Sequence, residues 1–458
     1  MGLERTVNTE ETVWGACYHM KAIILICCLL SISQVQAKNV VLFLGDGMGI
    51  TTITAARIYE GQLQGKSGEE NSLSFESFPN VAFIKTYSAD AQIPDSAATM
   101  SAIMSGEKTR AGVLGVGPKY ARGDCNAVLK DSSISLVEMA EAAGFVTGLV
   151  TTSRMTDATP AATYAHAPER RWENDAEVPN VAKSKGCTDI AQQFVTSSYG
   201  DGIDFTLGGG RSNFLPETQA DPEYPATKGS RTDGRNLVDD WLAQRKGRVF
   251  VWNNDQLANV SEGKQVLGLF EPKEMLFEAE RSRGNGNEPS LEEMTERAIN
   301  FLANKNSDKG FFLVIEGARI DHANHNKNPF FAMTDTIELS DAVRKALTLI
   351  DLQNTLVLVT ADHSSSLAFT GYPERGMPVL GSLSYPGFSN SGGFGFQSGH
   401  LDQRGAQPGA ALMDPSQALS AHAGEDVPAY AIGLGADQVR GTMEQHRLFE
   451  VLKSVLEL

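Results

Sequence analysis

From residue 38 onward, short apolar runs rich in β-branched residues alternate with longer segments of mixed polarity. The apolar runs predict strands at Val40–Leu44, Val81–Tyr87, Phe145–Thr151, Asp204–Leu207, Arg248–Trp252, Phe311–Ile315, Thr355–Thr360 and Ala429–Leu434. They mostly lack the polar alternation of a half-exposed strand, as strands buried on both faces do. The intervening segments predict helices at Thr52–Gln64, Ala97–Met104, Leu136–Ala143, Thr188–Thr196, Leu237–Lys246, Ser290–Asn304, Met333–Leu349 and Thr442–Leu458. Ser290-Leu291-Glu292-Glu293 reads as a capping box that opens its helix. This rhythm predicts an α/β fold with a mostly parallel central sheet and helices on both faces.

Two regions break the rhythm. Residues 209–289, chiefly 209–236 and 253–289, are rich in Gly, Pro, Asn and charge and read as insertions. Residues 371–417 are Gly-, Ser- and Pro-rich and longer than an ordinary connector, which predicts a lid or surface excursion. At the other end, Met20-Lys21, the apolar run Ala22–Leu30 and the small-residue end Val35-Gln36-Ala37 have the pattern of a secretory leader. Residues 1–37 are therefore set apart, with 1–19 read as a misplaced start before Met20. One domain is expected over residues 38–458. The leader predicts an exported protein, periplasmic or secreted. No other segment has the length and apolarity to span a membrane, and no membrane anchor is expected.

Composition narrows the partners. Hydrophobic residues make up 41% and charged residues 21%, ordinary values for a globular chain. The net charge of −17 disfavours nucleic acid, which needs a basic face. It leaves room for a small anionic substrate held by metals and an arginine. Cys17, Cys27 and Cys28 lie in or before the leader, which leaves Cys125 and Cys187 in the mature chain. Two cysteines in an exported chain predict one disulfide, the alternative being two free buried thiols.

Chemistry-bearing residues follow three of the predicted strands. Val40–Leu44 runs into Gly45-Asp46-Gly47-Met48-Gly49, Phe311–Ile315 into Glu316 through His325, and Leu356–Thr360 into Ala361-Asp362-His363. Ligands of open parallel sheets sit at the carboxyl ends of strands, so these side chains are expected at one edge. Asp321 and His325 stand four residues apart, a metal pair if helical. Each motif is weak alone; three strand ends together predict a multi-metal centre, with histidines favouring zinc and an all-oxygen site favouring magnesium. Ser96, in Pro94-Asp95-Ser96-Ala97-Ala98-Thr99, sits where a loop becomes a helix, with no histidine nearby in sequence. A serine served by metals instead of a base points to covalent phosphoryl transfer.

These segments, with Asp157-Ala158-Thr159-Pro160-Ala161 and His422-Ala423-Gly424-Glu425-Asp426, resemble the alkaline phosphatase family over nearly all of residues 38–458. Leu207–Arg211, Asp221–Pro225, Asn236–Leu242 and Leu269–Pro272 are similar to the animal-type branch, whereas the leader looks bacterial. The resemblance implies an exported phosphomonoesterase that works through phosphoserine at Ser96, with two zinc ions and one magnesium. It implies one zinc site of Asp321, His325 and His422 and a second of Asp46, Asp362 and His363. Asp46 is then shared with a magnesium site that includes Thr159 and Glu316. Arg170 falls where a phosphate-gripping arginine belongs, with Arg171 as its competitor and Asp95 as its holder. Asp157 is implied near the third metal as an oxygen ligand acting through water, which favours magnesium, and His322 at a position that tunes phosphate binding without ligating metal. A calcium site is implied at Glu223, the Phe270 carbonyl, Glu271 and Glu288, as are a Cys125–Cys187 bridge and a homodimer. His166, His400, His446, Trp172, Trp241 and Trp252 read as packing or surface residues. A phosphodiesterase or another member of the same superfamily is the alternative. A sulfatase is disfavoured because Ser96-Ala97-Ala98-Thr99-Met100 lacks the Cys/Ser-x-Pro-x-Arg setting. A non-catalytic zinc or phosphate scavenger is a third reading, at odds with the intact nucleophile and arginine.

Overall fold

Strands rich in Val, Leu and Ile form the centre of the protein because they are apolar on both faces. The computed structural model describes residues 1–2, 37–261, 263–284, 286–305, 307–370, 374–380, 393–396 and 421–458. Ten strands form one sheet: β1 (Asn39–Gly45), β2 (Asn80–Lys85), β3 (Val146–Arg154), β4 (Phe205–Gly209), β5 (Arg248–Val251), β6 (Gln265–Leu269), β7 (Phe311–Gly317), β8 (Thr355–Ala361), β9 (Val427–Gly433) and β10 (Gly441–Glu444). Their spatial order is β10-β2-β9-β8-β1-β7-β3-β4-β6-β5. Neighbours are parallel except β9, which runs antiparallel to both β2 and β8. The central strands β7 and β8 are buried along their whole length.

Two groups of helices cover the sheet. In one, α1 (Ile50–Leu63) and α4 (Leu291–Asn304) pack on α6 (Pro329–Leu349). In the other, α2 (Ser96–Ser105), α3 (Leu136–Ala143) and α7 (Arg447–Leu456) pack on one another. The short α5 (Arg319–His325) lies against α6. The Ser290–Glu293 capping box is formed, as the sequence predicts.

Three departures have local causes. β6 lies inside the stretch 253–289 read as an insertion, where flanking Gly, Asn and Pro hide a buried strand that joins β4 to β5. Residues 442–444 are strand β10, not helix; they pair with β2, and the final helix starts at Arg447. The helix predicted from Met333 begins at Pro329, a favoured first helical position, capped by Asn328. Residues 3–36 of the leader and His400 lie outside the described residues, as does most of 371–417. Within that excursion, Gly393–Phe396 pairs antiparallel with Leu367–Thr370.

Candidate active site

Sheet register assembles the site. Leu44 is level with both Glu316 and Thr360, and Thr151 is level with Glu316. Gly45 is level with Ala361, so Asp46 and Asp362 each emerge one residue beyond adjacent strands. Parallel pairing thus gathers residues more than 300 positions apart in the chain. Gly47 makes the turn after Asp46 at φ +64°, and a Cβ there would stand 2.6 Å from Asp321 Oδ1.

Asp46, Asp362 and His363 form a buried group whose ligand atoms lie within 4.8 Å of one another. His363 Nδ1 is 3.1 Å from the Ser364 carbonyl, an acceptor only, so Nδ1 carries the proton and Nε2 the lone pair. That Nε2 stands 3.3 Å from Asp362 Oδ2, 3.5 Å from Asp46 Oδ1 and 3.2 Å from Ser96 Oγ. Asp362 Oδ1 accepts from the Gly47 and His363 amides, and Oδ2 from Thr99 Oγ1. Asp46 Oδ1 is buried with no hydrogen-bond partner. Burial first, then repulsion from Asp362, Asp321 and Glu316, pushes the Asp46 carboxyl well above the usual carboxylate range.

Asp321, His325 and His422 meet beside this group. His325 Nε2 is 3.2 Å from Asp321 Oδ2 and 2.9 Å from His422 Nε2, which lies 3.8 Å from Asp321 Oδ1. His422 Nδ1 donates to the Pro94 carbonyl at 2.9 Å, again leaving Nε2 with the lone pair. The His363 and His422 rings stack with centroids 3.7 Å apart, and Asp321, His363 and His422 form a second possible ligand group. Burial first, then the neighbouring His363 imidazole, pushes His422 down to about 4 despite the attraction of Asp321. Asp321 is held well below its usual value by His325, His422 and His363, which outweigh burial. Its Oδ1, like Asp46 Oδ1, has no hydrogen-bond partner.

A divalent cation fits this donor set. Imidazole Nε2 atoms and carboxylate oxygens converge at 3.3–3.8 Å, and two of the buried carboxylate oxygens have no hydrogen-bond partner. Thr159 Oγ1 is also buried without a partner. Glu316 accepts from Thr151 Oγ1 and is pushed up to about 8, chiefly by burial.

Asp95 caps α2 by accepting from the Ala98 amide. Arg170 is bracketed, with Nη1 donating to Asp95 Oδ2 at 3.0 Å and Nη2 to Asp157 Oδ1 at 3.2 Å. Its competitor Arg171 is exposed. Asp157 is saturated by protein donors: Ala158 N and Arg170 on Oδ1, Ser153 Oγ and Arg154 on Oδ2. His322 Nε2 stands 3.8 Å from Asp157 Oδ2, while its Nδ1 faces Arg319 Nη1 at 3.0 Å. His166 is hydrogen-bonded to Glu138 and the Gly115 carbonyl, a structural role.

The four residues of the implied calcium site are less well gathered. Glu223 accepts from Arg211 and Glu271 from Tyr224 Oη. Glu288 Oε1 accepts from the Leu276 amide, and its Oε2 is buried without a partner. Phe270 is buried alongside. Among the described residues, these acids do not form a group with oxygens within 4.8 Å of one another. Cys125 and Cys187 are joined in a disulfide.

The sequence reading missed several supporting residues. Thr99 and Thr151 bond to Asp362 and Glu316, and Gln445 Nε2 donates to the Asp362 carbonyl at 2.6 Å. Gln445 follows β10, so no sequence signal linked it to the site.

The family model described as Alkaline phosphatase matches residues 37–390. The chain is 40% identical to the tissue-nonspecific alkaline phosphatase isozyme of Gallus gallus, over 91% of this chain and 84% of that protein. It is 37% identical to alkaline phosphatase of Gadus morhua, over 91% of each. In fold it is similar to the alkaline phosphatases of Thermus thermophilus (TM-score 0.67, 22% identity, 92% of each chain) and of the Antarctic bacterium TAB5 (TM-score 0.65, 23% identity, 92% of this chain and 98% of that one).

Proposed function

The chain belongs to the alkaline phosphatase family and is a metal-dependent phosphomonoesterase, and we propose that Ser96 is its nucleophile. The observation that carries this reading is the single contact of Ser96 Oγ with His363 Nε2, a nitrogen that also faces Asp46 and Asp362. Alone, the pair would read as a serine and its histidine base. The two carboxylates around the same nitrogen support reading it as a metal ligand instead.

Asp321, His325 and His422 would hold one zinc, and Asp46, Asp362 and His363 the other. Asp46, Thr159 and Glu316 would hold magnesium; a variant of the TAB5 enzyme is solved with magnesium in its M3 site. When bound, such ions supply Lewis acidity, lowering the proton affinity of coordinated oxygens and offsetting phosphoryl charge. The calcium site at Glu223, Phe270, Glu271 and Glu288 is not carried forward, because Arg211, Tyr224 and the Leu276 amide engage the three acids, which do not converge.

The chain's own residues position the reaction. Arg170 presents two guanidinium nitrogens to two phosphoryl oxygens, and Asp95 and Asp157 hold the fork in place. Ser96 opens α2, whose first amides have no acceptor within the helix and whose dipole favours an anion. Ser96 Oγ forms a bond to phosphorus as the bond to the leaving oxygen breaks, giving phosphoserine and an alcohol. Water then attacks phosphorus, the bond to Oγ breaks, and inorganic phosphate leaves. Thr99 and the Gly47 amide keep Asp362 in place through both steps.

We extend the proposal to an exported, homodimeric protein with one catalytic domain over 38–458. Among the described residues, no helix is long and apolar enough to cross a membrane. Replacing Ser96 by Ala is expected to reduce turnover of an aryl phosphate at least about 1,000-fold with metal content unchanged. Turnover near the parent's would refute Ser96 as nucleophile.

A further inference from the structure

Strand β3 ends in Arg154, whose guanidinium is fixed from several sides. Nε and Nη2 donate to the two carboxylate oxygens of Glu173 at 2.8 and 2.9 Å, and Nη1 pairs with Glu274. Nη2 also lies 3.1 Å from Asp157 Oδ2. Glu173 is itself held by Thr156 Oγ1 at 2.6 Å and Asn213 Nδ2 at 3.0 Å. Asn213 Nδ2 in turn donates to Thr156 Oγ1 at 2.7 Å. A planar group locked by that many partners has little freedom to turn.

Asp157 is the link onward. One of its oxygens meets Arg154 and the other meets Arg170, so a single carboxylate bridges two guanidiniums. His322, three residues along α5, does not share this task, because its Nε2 is 3.8 Å away and its other nitrogen faces Arg319. We propose that Arg154 is a positioning residue: anchored by Glu173, it sets the plane of Asp157 and thereby aims Arg170 at phosphate. The proposal rests on Arg170 gripping phosphate. It makes the Glu173 and Asn213 segments part of the phosphate site without touching the substrate. A small tilt of Asp157 would misalign the two-point contact of Arg170, and phosphoryl transfer is sensitive to such misplacement.

The test is inorganic phosphate affinity of the metal-loaded protein by calorimetry, with KM, kcat and the unfolding midpoint measured alongside. Arg154→Gln is expected to weaken phosphate binding about tenfold and to raise KM. Arg154→Lys should restore less than half of that loss, since an ammonium cannot hold Glu173 and Asp157 with a planar fork. In an Asp157→Ala background, Arg154→Gln should change phosphate affinity less than about twofold, the mark of action through Asp157. An equal loss in both backgrounds, or none in the parent, overturns the inference and leaves Arg154 a structural ion pair. If Arg154→Gln does not fold, Glu173→Gln takes its place, with about a threefold loss expected in the parent and none without Asp157. Arg170→Ala separates the two layers. If it leaves phosphate affinity intact, the reading of Arg170 fails; if it weakens binding while Arg154→Gln does not, only the role of Arg154 fails.

Discussion

At the scale of single residues, environment decides what each acid or glycine can do. Gly47 has a left-handed φ of +64° and lies against Asp321 Oδ1, so a methyl group there is opposed by both backbone and neighbour. Gly47→Ala is expected to reduce bound zinc by at least about half, measured by elemental analysis, because Asp321 must move; full zinc content would contradict this. Far from the site, Glu141 is pushed up to about 8, chiefly by burial, with Asp204 adding to the effect and the Thr147 hydroxyl opposing it. The folded state therefore keeps a proton that the unfolded chain loses near 4.5. Its stabilising contribution is complete below 4.5 and declines as pH rises toward 8, by at most about 1.4 kcal/mol per unit. Glu141→Gln, which cannot ionise, should gain stability over the parent as pH goes from 5 to 8 in denaturant titrations. Parallel curves would rule this out. Ligand candidates were legible because Asp and His follow apolar runs. Arg154 and Gln445 were not, because their roles depend on partners distant in sequence or on an unrecognised strand.

At the scale of elements, parallel register does the assembling. β1, β7 and β8 were readable as apolar runs, and their adjacency follows from pairing that sequence periodicity does not encode. β6 was missed because its Gly- and Pro-rich flanks resemble an insertion, and β10 because a short polar strand precedes a helix directly. The segment from Cys125 to Cys187 carries Asp157, Thr159 and Arg170, and its disulfide closes a loop of sequence separation 62. The bridge is buried beside Trp172, Val178 and Ala182. Replacing both cysteines by Ser is expected to lower the unfolding free energy by about 4 kcal/mol, measured by denaturant titration. An unchanged midpoint would show that packing alone holds this segment.

At the scale of the whole molecule, the proposed function requires an acidic chain to bind an anion, which cations and Arg170 gathered at one sheet edge would make possible. The net charge of −17 makes this local reversal necessary, and the buried carboxylates supply the sites for it. Chelation should therefore abolish turnover, and zinc with magnesium should restore it; persistent activity after metal removal would contradict a metal-dependent site. The most direct measurement of the central claim is anomalous X-ray scattering at the zinc edge from crystals of the protein. The account predicts two peaks about 4 Å apart, one beside Asp46, Asp362 and His363 near Ser96 Oγ and one beside Asp321, His325 and His422. Strong zinc peaks elsewhere with none at these two positions would contradict it.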